Sequence, residues 1–181
     1  MINTKVTLVP LTADDREQFI LDNQWAFKYG AMMEFGERDD HIDDDGEIIS
    51  HTTIAKSIDN PKSETYRIML DGEKVGGLIL TIDKETHHNH LDILFVLPEA
   101  HSKGIGYGAW LAVESLHPET KVWETCTPIL KSAISISMST NAVFRSINFG
   151  VSIFSPNTKC PRMRSTISTK DRMKCSALSR L

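Results

Sequence analysis

The sequence predicts a mixed α/β domain, a sheet carrying helices on its faces. Three observations lead there. Apolar residues recur at strand spacing, then helix spacing, then strand spacing again along the first 127 residues. Two apolar runs are separated by Asp71-Gly72, a pair suited to a tight antiparallel hairpin. A third run, residues 91–97, is apolar at both parities apart from Asp92, as in a strand covered on both sides. The 181 residues, 40% apolar and 24% charged, suit one globular domain with a sizeable core.

Taken in order, Lys5-Val6-Thr7-Leu8-Val9 alternates apolar and polar and predicts a first strand. Thr12-Ala13-Asp14-Asp15-Arg16 predicts a helix start, with a hydroxyl cap and acids in the first turn. Residues 65–70 and 74–82 are the two arms of the hairpin, and Pro98 ends the central strand. From Gly104, residues Ile105, Ala109, Ala112, Val113 and Leu116 recur at helical spacing until Pro118 stops them. Lys121-Val122-Trp123-Glu124 reads as a further strand.

No apolar run reaches the roughly 20 residues that span a bilayer. The opening Met1-Ile2-Asn3-Thr4-Lys5 lacks the pattern of a signal peptide, so a cytoplasmic protein without membrane association is expected. Cys126, Cys160 and Cys175 form no CxxC pair and are read as reduced thiols, with no metal site.

The block His101-Ser102-Lys103-Gly104-Ile105-Gly106-Tyr107-Gly108 stands between the central strand and the next helix. Its glycines permit close approach of a ligand, and amides at a helix N-terminus favour an anion such as phosphate. Neither the P-loop pattern nor the dinucleotide fingerprint is present. Tight packing of helix on sheet explains three spaced glycines equally well, so both readings stand at this point.

The longer run from Leu94 to Gly106, a strand ending Leu94-Phe95-Val96-Leu97-Pro98 followed by His101-Ser102-Lys103-Gly104-Ile105-Gly106, resembles motif A of the GNAT acetyltransferase superfamily. The resemblance implies a GNAT-like, mostly antiparallel sheet and acetyl-CoA as cosubstrate. It places Phe95 and Val96 along the pantetheine arm and acyl carbonyl. His101, Ser102, Lys103, Gly104, Ile105, Gly106 and Tyr107 would then form the pyrophosphate loop. His101 departs from the family's usual Gln or Arg.

The implied reaction is direct acyl transfer to an amine, of a small molecule or a peptide, with a backbone N–H near Val96 stabilising the oxyanion. Asp92, the single ionisable residue in the apolar strand, is the candidate base. A structural hydrogen bond at the sheet end is the equal alternative for it. Glu34, in an acidic region, is a weaker catalytic candidate. A non-catalytic acyl-CoA-binding domain is the alternative function.

Other signals are set aside. The run Asp39-Asp40-His41-Ile42-Asp43-Asp44-Asp45-Gly46 lacks both end ligands of a calcium loop and reads as a solvated acidic loop. His87, His88 and His90 read as a histidine-rich turn rather than metal ligands, and Trp25, Met32 and Met33 as core or substrate-loop packing.

Charge divides the chain. Residues 1–127 are net −12 and residues 128–181 net +8, giving the −4 of the whole; 11 serines fall in those last 54 residues. A basic arm for nucleic acid is one reading. The genetic code offers another. With one base restored near codon 128, residues 129–134 can be re-read as YFEKRN. Residues 171–179 permit PDEMF[RS]FE, whose glutamate is required by the codons of Met173 and Lys174. These stretches resemble the C-terminal third of bacterial GNAT acetyltransferases. The expectation is therefore a GNAT-like domain over 1–128 and an out-of-frame tail over 129–181, with the C-terminal helix and strands lost or non-native. No nucleic-acid partner is then expected. Sheet edge left bare would favour a homodimer.

Overall fold

The computed structural model describes residues 6–35, 47–101, 104–128 and 148–154; of residues 34, 35, 126–128 and 148–154 the backbone alone is described. Among the described residues, six strands form one sheet in the order of the chain: β1 (Val6–Pro10), β2 (Ser63–Leu70), β3 (Glu73–Thr81), β4 (His88–Val96), β5 (Val122–Pro128) and β6 (Asn148–Phe154). β1 to β4 pair antiparallel, whereas β4 with β5 and β5 with β6 pair parallel. The expected mixed, mostly antiparallel sheet is present. Three helices among the described residues accompany it: α1 (Arg16–Phe35), α2 (His51–Ile58) and α3 (Ile105–Leu116).

The β2–β3 hairpin turns at Asp71 and Gly72, both with positive φ (51° and 89°), as the twist of a tight hairpin requires. β4 stops at Pro98, which opens a short 3-10 turn, Pro98–Ala100. The start of α1 differs from expectation. A 3-10 turn, Ala13–Asp15, precedes the helix, and the Thr12 side chain makes no capping bond; its carbonyl accepts the Asp15 N–H instead. The Ser50 side chain does cap α2, through the Thr53 N–H.

Two apolar layers cover the sheet. On one face α3 packs Ile105, Ala109, Trp110 and Val113 against Leu78, Leu80, Leu91 and Trp123, with the two indole rings edge-on at 5.2 Å. On the other, α1 and α2 pack Phe19, Ile20 and Ile54 against Ile79, Ile93 and Phe95. A strand covered on both faces is what the run of β4, apolar apart from Asp92, announced. Arg67 of β2, 2% exposed, anchors α1 by ion pairs to Asp15 and Asp22, both at 2.7 Å. Among the described residues no helix is long and apolar enough to cross a membrane.

β6 is the departure. Within the segment read as an out-of-frame tail, Asn148–Phe154 lies parallel along the whole of β5. Its sequence, with Phe149, Val151 and Ile153 at alternate positions, is that of a strand with one apolar face. The acidic loop and residues 134–138, a stretch of strand-like spacing, lie outside the described residues.

Candidate active site

The site is built where β4 and β5 part. They pair from His88 with Val122 to Leu91 with Thr125, and the Thr125 hydroxyl donates to the Leu91 carbonyl at 3.0 Å, closing the apex of the fork. Asp92 is the next residue. It is also the extra residue of a β-bulge, because Ile79 faces Ile93 while Leu80 faces Leu91. A bulge redirects a side chain out of the regular alternation, a common device beside active sites.

The Asp92 carboxylate is held at both oxygens. Oδ2 accepts from the Thr81 hydroxyl and Oδ1 meets His90 Nδ1, each at 2.5 Å. His90 is buried, whereas the Asp92 side chain keeps 20% of its surface open. The structural hydrogen bond weighed for Asp92 is therefore present, and its side chain is not wholly buried. His90, set aside in the sequence as part of a histidine-rich turn, is the partner of Asp92 that motif reading passed over. Its nearness to Asp92 arises at the bulge, which strand alternation alone does not show.

Farther along β4, Phe95 is 3% exposed with its ring edge-on to Phe19 at 5.2 Å, so its side chain belongs to the core and its backbone alone is available. The Leu97 N–H donates to the Val75 carbonyl at 2.9 Å. By the alternation of an antiparallel ladder, the N–H and C=O of Val96 then point away from β3, to the side from which β5 has departed. The Val96 carbonyl is 3.0 Å from His101 Nε2. A carbonyl only accepts, so Nε2 is the donor in this bond. His101 thus ties the glycine loop to the end of β4. Its ring also stands edge-on to Tyr29 of α1 at 5.7 Å.

The three glycines of the loop separate into two kinds. A Cβ on Gly108 would lie 2.9 Å from the Val6 side chain, so this glycine serves the packing of α3 on β1. Gly104 has φ +69°, and a Cβ at Gly104 or Gly106 would meet nothing within 4 Å. Those two hold open space at the N-terminus of α3. The first bond of the helix runs from the Gly108 N–H to the Gly104 carbonyl, so the amides of Ile105, Gly106 and Tyr107 have no intrahelical acceptor. Ile105 is buried in the core and offers its amide alone, whereas Tyr107 is 39% exposed. Ser102 and Lys103 lie outside the described residues. Glu34 falls in the last turn of α1, and its side chain lies outside them too. Trp25, Met32 and Met33 are exposed on α1 rather than packed in the core.

The Acetyltransferase (GNAT) family model matches residues 20–133, more than half of the chain, and takes in the fork and the loop together. The chain belongs to the GNAT acetyltransferase family. An uncharacterised protein, YrkN, of Bacillus subtilis (strain 168) is 39% identical over 124 residues, 68% of this chain; the chain spans 64% of that relative's length. Solved structures share the GNAT fold, among them one of Staphylococcus aureus and one of Bacillus subtilis. A GNAT-family acetyltransferase of Staphylococcus aureus Mu50 superposes with a TM-score of 0.55 at 13% identity, over 75% of this chain and 82% of that one. The acetyltransferase YycN of Bacillus subtilis, described as putative, does so with a TM-score of 0.53 at 8% identity, over 91% and 96%.

Proposed function

We propose that this GNAT-family chain is an N-acetyltransferase that moves the acetyl group of acetyl-CoA to an amine. The observation that carries the reading is the parting of β4 and β5 immediately before Asp92. It sets a hydrogen-bonded carboxylate and the outward N–H of Val96 along one gap, with the glycine loop beyond the end of β4. These residues fit the cosubstrate. Gly104 and Gly106 leave room for a pyrophosphate against the amides of Ile105, Gly106 and Tyr107, where the dipole of α3 favours an anion. The outward backbone of Val96 suits the amide-bearing pantetheine arm.

Acetyl-CoA supplies an activated acyl carbon; the residues supply position, charge and a proton acceptor. The Val96 N–H donates to the carbonyl oxygen as negative charge develops there. Asp92, held by Thr81 and His90, is the final acceptor of the proton from the attacking amine, which reaches it through water because Asp92 stands four residues, about 13 Å, from Val96 along β4. One C–N bond forms, one C–S bond breaks, and the thiolate leaves and takes a proton from solvent. Asp92→Asn is expected to lower kcat about a hundredfold or more while leaving the affinity for acetyl-CoA within a few-fold. Turnover by this variant at raised pH, equal to that of the parent, would remove Asp92 as the base.

We further infer that residues 129–181 are translated out of frame. The reversal of charge at residue 128 supports this, as does the end of the family match at residue 133. On this reading the segment that completes the substrate side in the family is replaced, and this chain turns over more slowly than one in the restored frame.

A further inference from the structure

His90 stands in β4 between two strands, paired with Thr81 of β3 and with Glu124 of β5, and its side chain is buried. An aliphatic residue would fill such a central-strand position at lower cost, because a buried imidazole must find a partner for its N–H. The partner is Asp92, whose Oδ1 lies 2.5 Å from Nδ1. An ionised carboxylate only accepts, so Nδ1 carries the proton of this bond. Thr81, also buried, donates to the other oxygen. Of the three side chains Asp92 alone keeps appreciable access to solvent, 20% of its surface. Two buried donors therefore stand behind one carboxylate that is partly open.

The bulge gives this arrangement its use. Leu80 faces Leu91 and Ile79 faces Ile93, which leaves Asp92 with no residue opposite it on β3. A bulge residue lies outside the ladder, so ladder hydrogen bonds do not fix its side chain. The bonds from Thr81 and His90 do. An ionised carboxylate has about four acceptor sites, of which these donors take one on each oxygen; the rest remain for water and for a proton arriving through it. A proton acceptor works from a fixed orientation, and a carboxylate free to turn would present its open sites only part of the time. In the low dielectric around a buried donor the N–H···O bond is also stronger than the same bond in water.

We propose that His90 is a positioning residue for acyl transfer: its Nδ1–H holds the Asp92 carboxylate in the orientation from which it receives the amine proton through water. His90 itself touches neither acetyl-CoA nor the amine. The proposal rests on the reading of Asp92 as the final proton acceptor, and its test keeps the two apart. Release of the CoA thiol from acetyl-CoA is followed with ethylamine, spermidine and a lysine-containing peptide as acceptors. The full 181-residue chain is compared with His90→Leu, His90→Asn, Asp92→Asn and the variant carrying both His90→Leu and Asp92→Asn. Leucine removes the donor, whereas the asparagine Nδ2 stands as many bonds from the backbone as Nδ1 did. The expected result is a kcat about tenfold lower in His90→Leu, recovered to within about threefold of the parent in His90→Asn, with KM for acetyl-CoA within about twofold in both. His90→Leu is expected to add nothing to the loss in Asp92→Asn, since it acts through that carboxylate. Parental kcat in His90→Leu, an equal loss in His90→Leu and His90→Asn, or a full further loss in the double variant would overturn the proposal. Nitrogen NMR of the parent gives a second reading that needs no variant to fold: Nδ1 of His90 bearing the proton is expected, and the tautomer with Nδ1 bare would overturn it. If the parent acetylates no amine, or Asp92→Asn keeps parental kcat, the reading of Asp92 falls and this proposal with it; if Asp92→Asn is impaired and His90→Leu is not, this proposal alone falls.

Discussion

Gly106 and Gly108 are two residues apart in the same helix and have opposite tasks. A side chain at Gly106 meets no atom within 4 Å, whereas one at Gly108 runs into Val6. Gly108→Val is accordingly expected to cost about 1–3 kcal/mol by overpacking, read as a lower urea midpoint, with the loop otherwise intact. Gly104 adds a third case. Its φ of +69° makes any side chain strained, and Gly104→Ala is expected to cost about 1 kcal/mol although nothing stands in its way. Spacing alone shows that three glycines precede a helix. It does not show that one faces β1 and two face open space, because that depends on how α3 lies on the sheet. The same limit applies to Asp92. Its isolation in an apolar run was legible; the bulge that turns it and the His90 and Thr81 partners that hold it arise from register between strands, which a single strand does not display.

At the scale of elements, α1 is fastened to β2 through Arg67, Asp15 and Asp22, with Lys74 also 2.9 Å from Asp15. The hydrogen bond from Arg67 holds the Asp15 carboxyl below its ordinary range, the Lys74 bond and the charges of both residues adding to it against the opposing effect of burial. A carboxylate whose folded pKa is depressed stabilises the fold above its unfolded value near 3.9, and that stabilisation is lost as pH falls through the folded value. Thermal unfolding followed from pH 6 to pH 2 is therefore expected to show a decline below about pH 4 that is shallower in Asp15→Asn. At pH 7, Asp15→Ala is expected to cost about 3 kcal/mol, because it leaves a buried guanidinium short of one partner. The strands and helices through Pro128 were largely legible, because their signals are local: Asp71-Gly72 at the turn, Pro98 and Pro118 as stops, Gly104 before α3. The start of α1 was less so. Thr12 precedes acids as a cap does, but an intervening 3-10 turn takes its carbonyl and leaves the hydroxyl unused. The exposed face of α1, with Leu21, Trp25, Met32 and Met33, also reads as core from composition; the helix has one sheet to cover, and those side chains lie on its far side.

The whole molecule joins an acidic segment to a basic one at the edge of its sheet. β6 runs parallel to β5 over seven paired residues, so the basic segment contributes a strand whatever its origin. Residues 148–154 were not read as a strand in the sequence, although Phe149, Val151 and Ile153 alternate there, because the whole segment was read as out of frame. Sequencing the gene across codon 128 in an independent isolate tests the shifted frame: one additional base that restores YFEKRN is the expected finding, and a confirmed frame refutes it. An intact version made that way is expected to exceed the present chain in acetyl transfer to an amine panel under identical conditions. The central claim, an acetyl-CoA site at the loop and fork, is most directly tested by equilibrium binding of acetyl-CoA to the parent chain and to Gly106→Trp, with Tm measured alongside. The expected result is saturable binding by the parent, loss of at least tenfold in affinity in the variant (about 1.4 kcal/mol) and an unchanged Tm. Absence of binding by the parent, or equal binding by a tryptophan variant of equal stability, would contradict it.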